Sequence, residues 1–362
     1  MNVSADQRTR QQQTFSSDSL SRLYHSTVPA PLRLDDRYVI FADLHMGDGG
    51  KADDFLNNAA MFAQVLQEHY LAAGYSLVLN GDVEELQRFP LAAIRARWSG
   101  IYRIFNRFDR SGRFHKLVGN HDMSILNARR SGYRVKQALR LNYNGDNIFI
   151  FHGHQVSRWF MQHNRFVGLT LKYFATPLRI KNYEVSHNSR KRFETERQVY
   201  EFSSRERVLS IIGHTHRPLF ESMSKVDSLK FELEQLCRTY PQAGADERGR
   251  IEAQIARYRS ELLELQQKRS PSREHTSSLY NEHLVVPCLF NSGCVLGKRG
   301  ITALEISDGQ IRLVYWFDRQ RSSKYLDDLS VTSQQLGRSD CYRAVMQQDR
   351  LDFVLSRIRL LT

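Results

Sequence analysis

Five short apolar runs, each ending in a cluster of acids, amides or imidazoles, constrain the fold of this chain more than any other feature. The runs have the composition of buried strands and cover residues 38–41, 77–79, 116–118, 148–151 and 209–212. Open α/β sheets place their ligands just outside the carboxyl ends of the strands. The five polar ends are therefore expected to lie on neighbouring strands and to converge on one point.

The polar ends carry the residue types that bind divalent metals. They are Asp43-Leu44-His45, Gly81-Asp82-Val83-Glu84-Glu85, Gly119-Asn120-His121-Asp122, His152-Gly153-His154 and Gly213-His214-Thr215-His216. Asp and His together suit borderline ions such as Mn, Fe or Zn, and these motifs contain no Cys for a thiolate site. Two cations about 3.5–4 Å apart polarise a phosphoryl group and acidify a bridging water. The glycines before Asp82, Asn120 and His214 allow close approach of the backbone.

The order and form of these motifs resemble those of the calcineurin-like metallophosphoesterases. The pattern of that superfamily is DxH, GDxx(D/E), GNH(D/E), a further His motif and GHxH, and all five elements occur here in that order, over roughly residues 35–220. The resemblance implies an α/β (α+β) sandwich of two mixed β-sheets flanked by helices, with a dinuclear metal site at the strand ends. It also implies that a hydroxide bridging the metals hydrolyses a phosphoester or pyrophosphate bond.

The resemblance assigns a role to individual residues. The implied metal ligands are Asp43, His45 and His216 for one ion, Asn120, His152 and His214 for the other, and Asp82 between them. His121 corresponds to the imidazole that stabilises the transition state or protonates the leaving oxygen. Asp122 is expected to orient that ring through a hydrogen bond, and Glu85 to form hydrogen bonds rather than bind metal. Mn is the favoured ion, with Fe, Zn and Mg as alternatives.

The substrate is less closely defined. The first two motifs and a long basic, aromatic segment after the fourth most resemble the UDP-2,3-diacylglucosamine diphosphatases of lipid A synthesis. The fourth motif departs from that group, with His-Gly-His in place of His-Gly-Asp, and the chain is longer. We expect a nucleotide-sugar or lipid-type pyrophosphate, or another small phosphodiester. Two alternatives stay open: a nuclease or nucleotide phosphodiesterase of the same fold, and a non-enzymatic scaffold that binds partners.

Residues 155–205 lie between two ligand motifs and interleave basic with aromatic side chains. We predict that they form a helical lid over the site, with Arg158 and Arg165 positioned to bind phosphate oxygens. His154 is a further candidate for substrate contact. The alternative is that it merely lies close in sequence to the implied ligand His152 and has no contact with substrate. The alternative for the whole segment is that its aromatic rings pack on the core and its bases face solvent.

The remaining periodic segments predict helices first and strands later. Apolar spacing predicts helices over 54–73 and 90–110. Strands are predicted over 284–290, 301–306 and 311–317, the last two joined by an Asp308-Gly309 turn. These late strands are expected to form the second sheet of the sandwich.

The domain organisation follows from these assignments. Residues 1–33 are predicted to be a flexible N-terminal arm, and residues 34–221 and 278–320 the metallophosphoesterase domain. Apolar residues of 222–277 recur at intervals of three and four around a break at 240–244, which predicts a helical hairpin. The hairpin could support a homo-oligomer, bind a partner or serve as a strut. Residues 321–362 form a C-terminal tail whose amphipathic, basic part, about 340–360, is predicted to be a docked helix or a membrane-surface anchor.

Charge and cysteine usage bear on partners and compartment. The net charge of +13 favours anionic partners: a phosphorylated substrate, nucleic acid or the surface of an anionic membrane. The four cysteines show no paired spacing and indicate free thiols. The first 20 residues contain no apolar leader, so a cytoplasmic location is expected.

Overall fold

Two mixed β-sheets form the centre of the fold. The computed structural model describes residues 18–126, 132–156, 189–220, 240–267, 286–323 and 331–362, with residues 229, 233, 236, 237, 325 and 326. The strands are β1 (Pro29–Pro31), β2 (Tyr38–Phe41), β3 (Ser76–Asn80), β4 (Phe114–Leu117), β5 (Val135–Lys136), β6 (Ala138–Tyr143), β7 (Asp146–Phe151), β8 (Leu209–Ile212), β9 (Leu289–Asn291), β10 (Gly300–Ser307), β11 (Gln310–Asp318), β12 (Thr332–Gln335) and β13 (Cys341–Arg350). One sheet has the order β12-β13-β11-β10-β2-β3-β4-β5, and the other has the order β1-β6-β7-β8-β9.

Helices cover the two sheets. They are α1 (residues 18–26), α2 (Ala59–Gln64, continued by a π-helical turn Val65–Leu71), α3 (Leu91–Arg97), α4 (Ser99–Arg110), α5 (Ser189–Glu206), α6 (Ala245–Gln267) and α7 (Leu351–Leu361). The predicted helix 54–73 starts later because Asp53 accepts hydrogen bonds from the Gly49 and Phe55 amides and holds a turn. The predicted helix 90–110 divides at Trp98, whose φ and ψ of −100° and 26° leave the helical region.

Strand side chains alternate between the two faces of each sheet, as a period of two requires. In β2, Val39 and Phe41 pack with the helices α2 to α4, where Phe62 and Phe105 are buried. Ile40 points the other way, into a core that lies between the sheets. The result is a helix–sheet–sheet–helix sandwich, which confirms two mixed sheets flanked by helices.

The five motif strands do not belong to one sheet, contrary to the expectation that they are neighbours. The strands β2, β3 and β4 pair in parallel in the eight-stranded sheet, whereas β7 and β8 pair in the five-stranded sheet. The assignment of the late strands to the second sheet is also wrong for β10 and β11, since β10 pairs antiparallel with β2. Only β9 of the late strands joins β8. The Asp308-Gly309 turn between β10 and β11 is confirmed, with φ of 53° and 70°.

The N-terminal segment is part of the fold from residue 18 onward, so the prediction of a flexible arm over 1–33 is wrong for residues 18–33. Leu20 and Tyr24 of α1 are buried against the outer face of the five-stranded sheet. Strand β1 then pairs in parallel with β6. Its two prolines are tolerated because β1 is an edge strand, where one side of the backbone has no partner strand. Residues 1–17 lie outside the described part of the chain.

The C-terminal segment extends the larger sheet, which corrects the helix predicted over about 340–360. Residues 341–350 form β13, which pairs antiparallel with β11 along its whole length. Of the predicted helix, only the part from residue 351 onward is helical. Helix α7 buries Leu351, Val354, Leu355 and Ile358 in the core between the sheets. Residues 331–362 are therefore an integral part of the sandwich rather than a tail.

Two inserted segments are described only in part. Of the predicted lid 155–205, helix α5 packs Val199 and Phe202 against Phe149 and Phe151 on the outer face of the five-stranded sheet. These residues form a layer of the core, and the rest of the segment, 157–188, lies outside the described residues. In the predicted hairpin, Leu229 and Leu236 are buried in one cluster with Ile251 and Tyr258 of α6. Among the described helices, none has both the length and the apolar character needed to cross a membrane.

Candidate metal centre

The five motifs converge at one end of the sandwich. Parallel pairing brings the carboxyl ends of β2, β3 and β4 to the same edge, and the ends of β7 and β8 meet them from the facing sheet. Their side chains form three groups in which all candidate ligand atoms lie within 4.8 Å of one another. The first group is Asp43, His45 and His216, the second is Asp82, His152 and His214, and a third joins His45 and His121 to Glu85. The predicted convergence on one point is therefore confirmed.

The distances in the first group fit a single ion. Nε2 of His216 lies 3.1 Å from Oδ1 of Asp43 and 3.3 Å from Nε2 of His45. Nε2 of His45 lies 3.9 Å from the same Oδ1. Donors held about 2.1 Å from a common ion at tetrahedral or octahedral angles are roughly 3.0–3.4 Å apart. Two of the three separations thus match the spacing that a bound divalent metal would impose, and the third, between His45 and Asp43, is longer at 3.9 Å.

The second group lies next to the first and meets it at Asp82. Nε2 of His152 lies 3.0 Å from Oδ2 of Asp82 and 3.9 Å from Oδ1 of Asp43. His45 Nε2, from the first group, is 3.8 Å from the same Oδ2 of Asp82. Asp82 therefore faces donors of both groups, as the predicted bridging ligand should.

Three candidate ligand atoms are buried without forming a hydrogen bond to any described residue. Oδ1 of Asp43 and Nε2 of His152 are buried, yet neither has a hydrogen-bond partner of good geometry among the described residues. The same is true of Oδ1 of Asn120, the predicted amide ligand. A buried polar atom without a partner costs roughly 1–3 kcal/mol. Donors that point at a common centre instead of at each other leave this pattern, and a cation at that centre would satisfy them.

The hydrogen bonds of the opposite ring atoms fix which imidazole nitrogen faces the centre. Nδ1 of His152 lies 2.8 Å from the carbonyl oxygen of Asn80, to which it donates. Nδ1 of His45 donates to Oε2 of Glu85 at 2.9 Å. A metal-binding imidazole typically donates its other N–H to a carbonyl or carboxylate in this way. Nε2 of both rings is consequently the nitrogen that is available to a cation.

The carboxylates are oriented by backbone amides. Oδ2 of Asp43 accepts a hydrogen bond from the amide of His214 at 3.0 Å, and Oδ1 of Asp82 accepts one from the amide of His121 at 2.8 Å. One oxygen of each carboxylate is thus committed to the backbone and the other faces the imidazoles. Gly119 makes this approach feasible, because a Cβ at that position would lie 2.0 Å from Oδ1 of Asp82.

Backbone strain is concentrated at the candidate ligands. The φ angles of Asp43, His45, Asp82, His214 and His216 are 55°, 47°, 51°, 63° and 55°. Left-handed conformations are uncommon for residues other than glycine and cost of order 1–3 kcal/mol each when the surrounding structure imposes them. Such strain gathers at functional sites. The structure therefore holds these five residues in backbone conformations that cost stability, which is typical of functional sites.

The buried charged groups of the site strongly shift one another's pKa values. Burial disfavours the charged forms, but the charges of His152 and His121 outweigh it and hold the pKa of Asp82 well below its usual range. In the same way, burial lowers the pKa of His152 while Asp82 and Asp43 raise it, with a net rise to about 10. Burial and the charge of His152 lower the pKa of His214. Without cations, the negative charges of Asp82 and Asp43 therefore favour protonation of His152.

His121 is held by Glu85, which corrects the role predicted for Asp122. Nδ1 of His121 donates to Oε1 of Glu85 at 2.9 Å, while Asp122 accepts from the backbone amides of Gly119 and Val83. Asp122 thus shapes the loop and does not orient the ring. Nε2 of His121 lies 4.0 Å from Oδ2 of Asp82, beside the second donor group. Glu85 joins this ring to His45, since one carboxylate contacts both.

Of the three candidate substrate residues, the structure describes only His154. The ring of His154 is buried, with its centroid 5.3 Å from that of His152 and 6.3 Å from that of His214. It lies within the wall of the site rather than on an open surface, so its substrate contact stays a prediction. Arg158 and Arg165 lie outside the described residues.

A further residue that supports the site comes from β9. Nδ2 of Asn291 donates to the carbonyl oxygen of Gly213 at 3.0 Å and to Oγ1 of Thr215 at 2.8 Å. These bonds hold the loop of His214 and His216. The sequence signal is the Asn-x-Gly turn at this point, in which the amide of Gly293 bonds back to Oδ1 of Asn291.

Comparison with known proteins does not add to this geometry, because no protein-family model matches the chain and no curated protein matches it significantly.

Proposed function

We propose that this chain is a dinuclear metal-dependent hydrolase of phosphoester or pyrophosphate bonds, of the calcineurin-like type. The observation that carries the proposal is the arrangement of two buried donor groups around Asp82, with candidate ligands in strained left-handed conformations. Asp43, His45 and His216 would hold one ion, and Asn120, His152 and His214 the other. Two divalent cations there would supply Lewis acidity and an activated water.

The residues around the cations would position the substrate and manage its protons. His121 presents Nε2 to the centre while Nδ1 is bound to Glu85. Burial lowers the pKa of His121, but Asp82 and Glu85 raise it, with a net rise to about 9. The ring is therefore protonated near neutral pH in the metal-free chain and can donate a hydrogen bond or a proton to a phosphate oxygen.

The substrate we favour is a nucleotide-sugar or lipid-type pyrophosphate, or another small phosphodiester. The chain carries a net charge of +13, which attracts such anions to the molecule. A nuclease of the same fold would use the same centre, so the substrate screen has to decide between them.

The test is a screen with Mn(II) and four substrate classes: bis-p-nitrophenyl phosphate, nucleotides, nucleoside diphosphate sugars and short nucleic acids. The decisive variant is Asp82→Ala, which we expect to lose bound metal and nearly all hydrolysis while remaining folded. The matched control is Asp352→Ala, because Asp352 is an exposed carboxylate on α7. Helix α7 starts at the β10–β11 turn, at the amino end of β2 and away from the centre. Full activity in Asp82→Ala, or no hydrolysis of any class by the unaltered chain, would refute the proposal.

A further inference from the structure

A buried glutamate outside the sequence motifs contacts the loop that carries two candidate ligands. Glu196 lies on α5, and its exposed fraction is only 1%. Its Oε1 accepts a hydrogen bond from the hydroxyl of Thr215 at 2.8 Å and another from Nε of Arg217 at 3.2 Å. Its Oε2 pairs with Nη2 of Arg217. Both partners flank His216, so one carboxylate grips the loop on either side of a candidate ligand.

The contacts form a continuous chain across three elements of the fold. Asn291 of β9 donates to Oγ1 of Thr215, and the hydroxyl of Thr215 donates in turn to Glu196. The hydroxyl thus uses its single proton and one lone pair, and its position is fixed from both sides. Consequently, the loop of residues 213–217, which follows β8, is held by β9 on one side and by α5 on the other.

The loop needs such support because its backbone is strained. His214 and His216 have φ angles of 63° and 55°, and Thr215 lies between them. If Thr215 were released, the backbone could relax toward commoner conformations and carry both imidazoles away from Asp43 and Asp82. The position of Glu196 is equally constrained, because a buried carboxylate is tolerated only when it is paired and hydrogen-bonded.

We infer that Glu196 is a positioning residue for the metal centre, acting through Thr215 and Arg217 on His214 and His216. This inference rests on the proposed function, in which those two histidines bind metal. It also links the centre to the segment inserted between the fourth and fifth motifs, because α5 forms the end of that segment. Metal affinity is then set partly by a helix that contributes no ligand.

The first test measures Mn(II) binding to the full chain by isothermal titration calorimetry, without substrate. The variant is Glu196→Gln, which keeps the size of the side chain but removes its charge. Loss of a residue that orients a metal ligand typically weakens metal affinity by 10–100-fold, and we expect a loss in this range. The matched control is Glu201→Gln on the same helix, where the carboxylate is 52% exposed and 3.8 Å from Arg197. This control should stay within about twofold of the unaltered chain.

A second readout separates positioning from general destabilisation. If Glu196 positions ligands, the hydrolytic deficit of Glu196→Gln should shrink as Mn(II) is raised, and the variant should already be fully folded in EDTA. A general folding defect would also be relieved by Mn(II), because the ion stabilises the native state, but it would leave the variant partly unfolded in EDTA. Equal Mn(II) affinity in Glu196→Gln and the unaltered chain would overturn the inference while leaving the proposed function intact.

A third readout needs no metal at all. In EDTA, hydrogen exchange of amides 213–217 should be faster in Glu196→Gln than in Glu201→Gln. If the unaltered chain binds no Mn(II), the proposed function fails, and the exchange measurement still decides whether Glu196 holds the loop. Unchanged exchange there would refute the contact on which the inference depends.

Discussion

Metal binding should release protons, because the candidate ligands hold protons that a cation must displace. In the metal-free chain burial lowers the pKa of His152, yet Asp82 and Asp43 raise it to about 10. Asp43 likewise raises the pKa of His216 against the effect of burial. An imidazole must be neutral to bind metal. At pH 7.5 the loss of the His152 proton alone costs about 3 kcal/mol, since one pKa unit is ~1.4 kcal/mol.

The expected consequence is a steep dependence of affinity on pH. Mn(II) affinity should rise about tenfold per pH unit for each proton displaced. Calorimetry at pH 7.5 in two buffers of different ionisation enthalpy should count about one to two protons released per chain. The control is His25→Gln, which alters an exposed imidazole whose side chain is 66% accessible, and its proton count should match the unaltered chain. Affinity independent of pH between about 6.5 and 8.5, with no proton release, would refute the electrostatic account of the site.

Four further outcomes are expected. Glu85→Gln should lower kcat by about 10–100-fold at saturating Mn(II), because it loosens the rings of both His121 and His45; an unchanged kcat would exclude a role in orienting them. Gly119→Ala should lose metal by elemental analysis, since its Cβ would meet Oδ1 of Asp82 at 2.0 Å; normal metal content would contradict the close approach. In EDTA, chemical denaturation should show stability falling as pH rises from 6.5 toward about 10, because the raised pKa of His152 favours the folded state only while the ring is protonated; rising stability would contradict this sign. Phe105→Ala should lower the free energy of unfolding by about 3–5 kcal/mol in urea, because its ring is fully buried; a loss below about 1 kcal/mol would mean that the helix layer packs loosely.

The sequence predicted the convergence of the five motifs better than the architecture around them. The strands before the motifs are short and apolar, and a glycine, aspartate or histidine follows each within two residues, so both their existence and their ends could be located. The observed β2 and β8 have the predicted bounds. Donor residues that follow strand ends meet at the same end of the sandwich whichever of the two facing sheets each strand joins. Convergence could therefore be predicted although the strands were assigned to the wrong partners.

Sheet membership could not be predicted because alternation encodes which face of a strand is buried and not which strand lies beside it. The strands β10 and β11 are apolar enough to pair anywhere in the sandwich, and pairing of β10 with β2 decides their position. At the C-terminus, apolar residues on both sides of the junction between Arg350 and Leu351 mimic one helical stripe. Residues 341–350 nevertheless form a strand, because they pair with β11.

The residues that contact the candidate ligands and their loops could not be identified from the sequence either. Asp122 is adjacent to His121 and was predicted to orient it, but the turn directs its carboxylate to the amides of Gly119 and Val83. Glu196 belongs to no motif and contacts Thr215 from a helix position 19 residues earlier in the chain. Such contacts depend on the packing of separate elements, which the spacing of residues along the chain does not report.

The most direct test of the central claim is anomalous X-ray scattering from crystals of the full chain grown with Mn(II). We expect two manganese peaks, one among Asp43, His45 and His216 and one among Asn120, His152 and His214, with Asp82 between them. A map with no peak at this place, or with manganese bound only elsewhere, would contradict the assignment of these residues as a dinuclear metal centre.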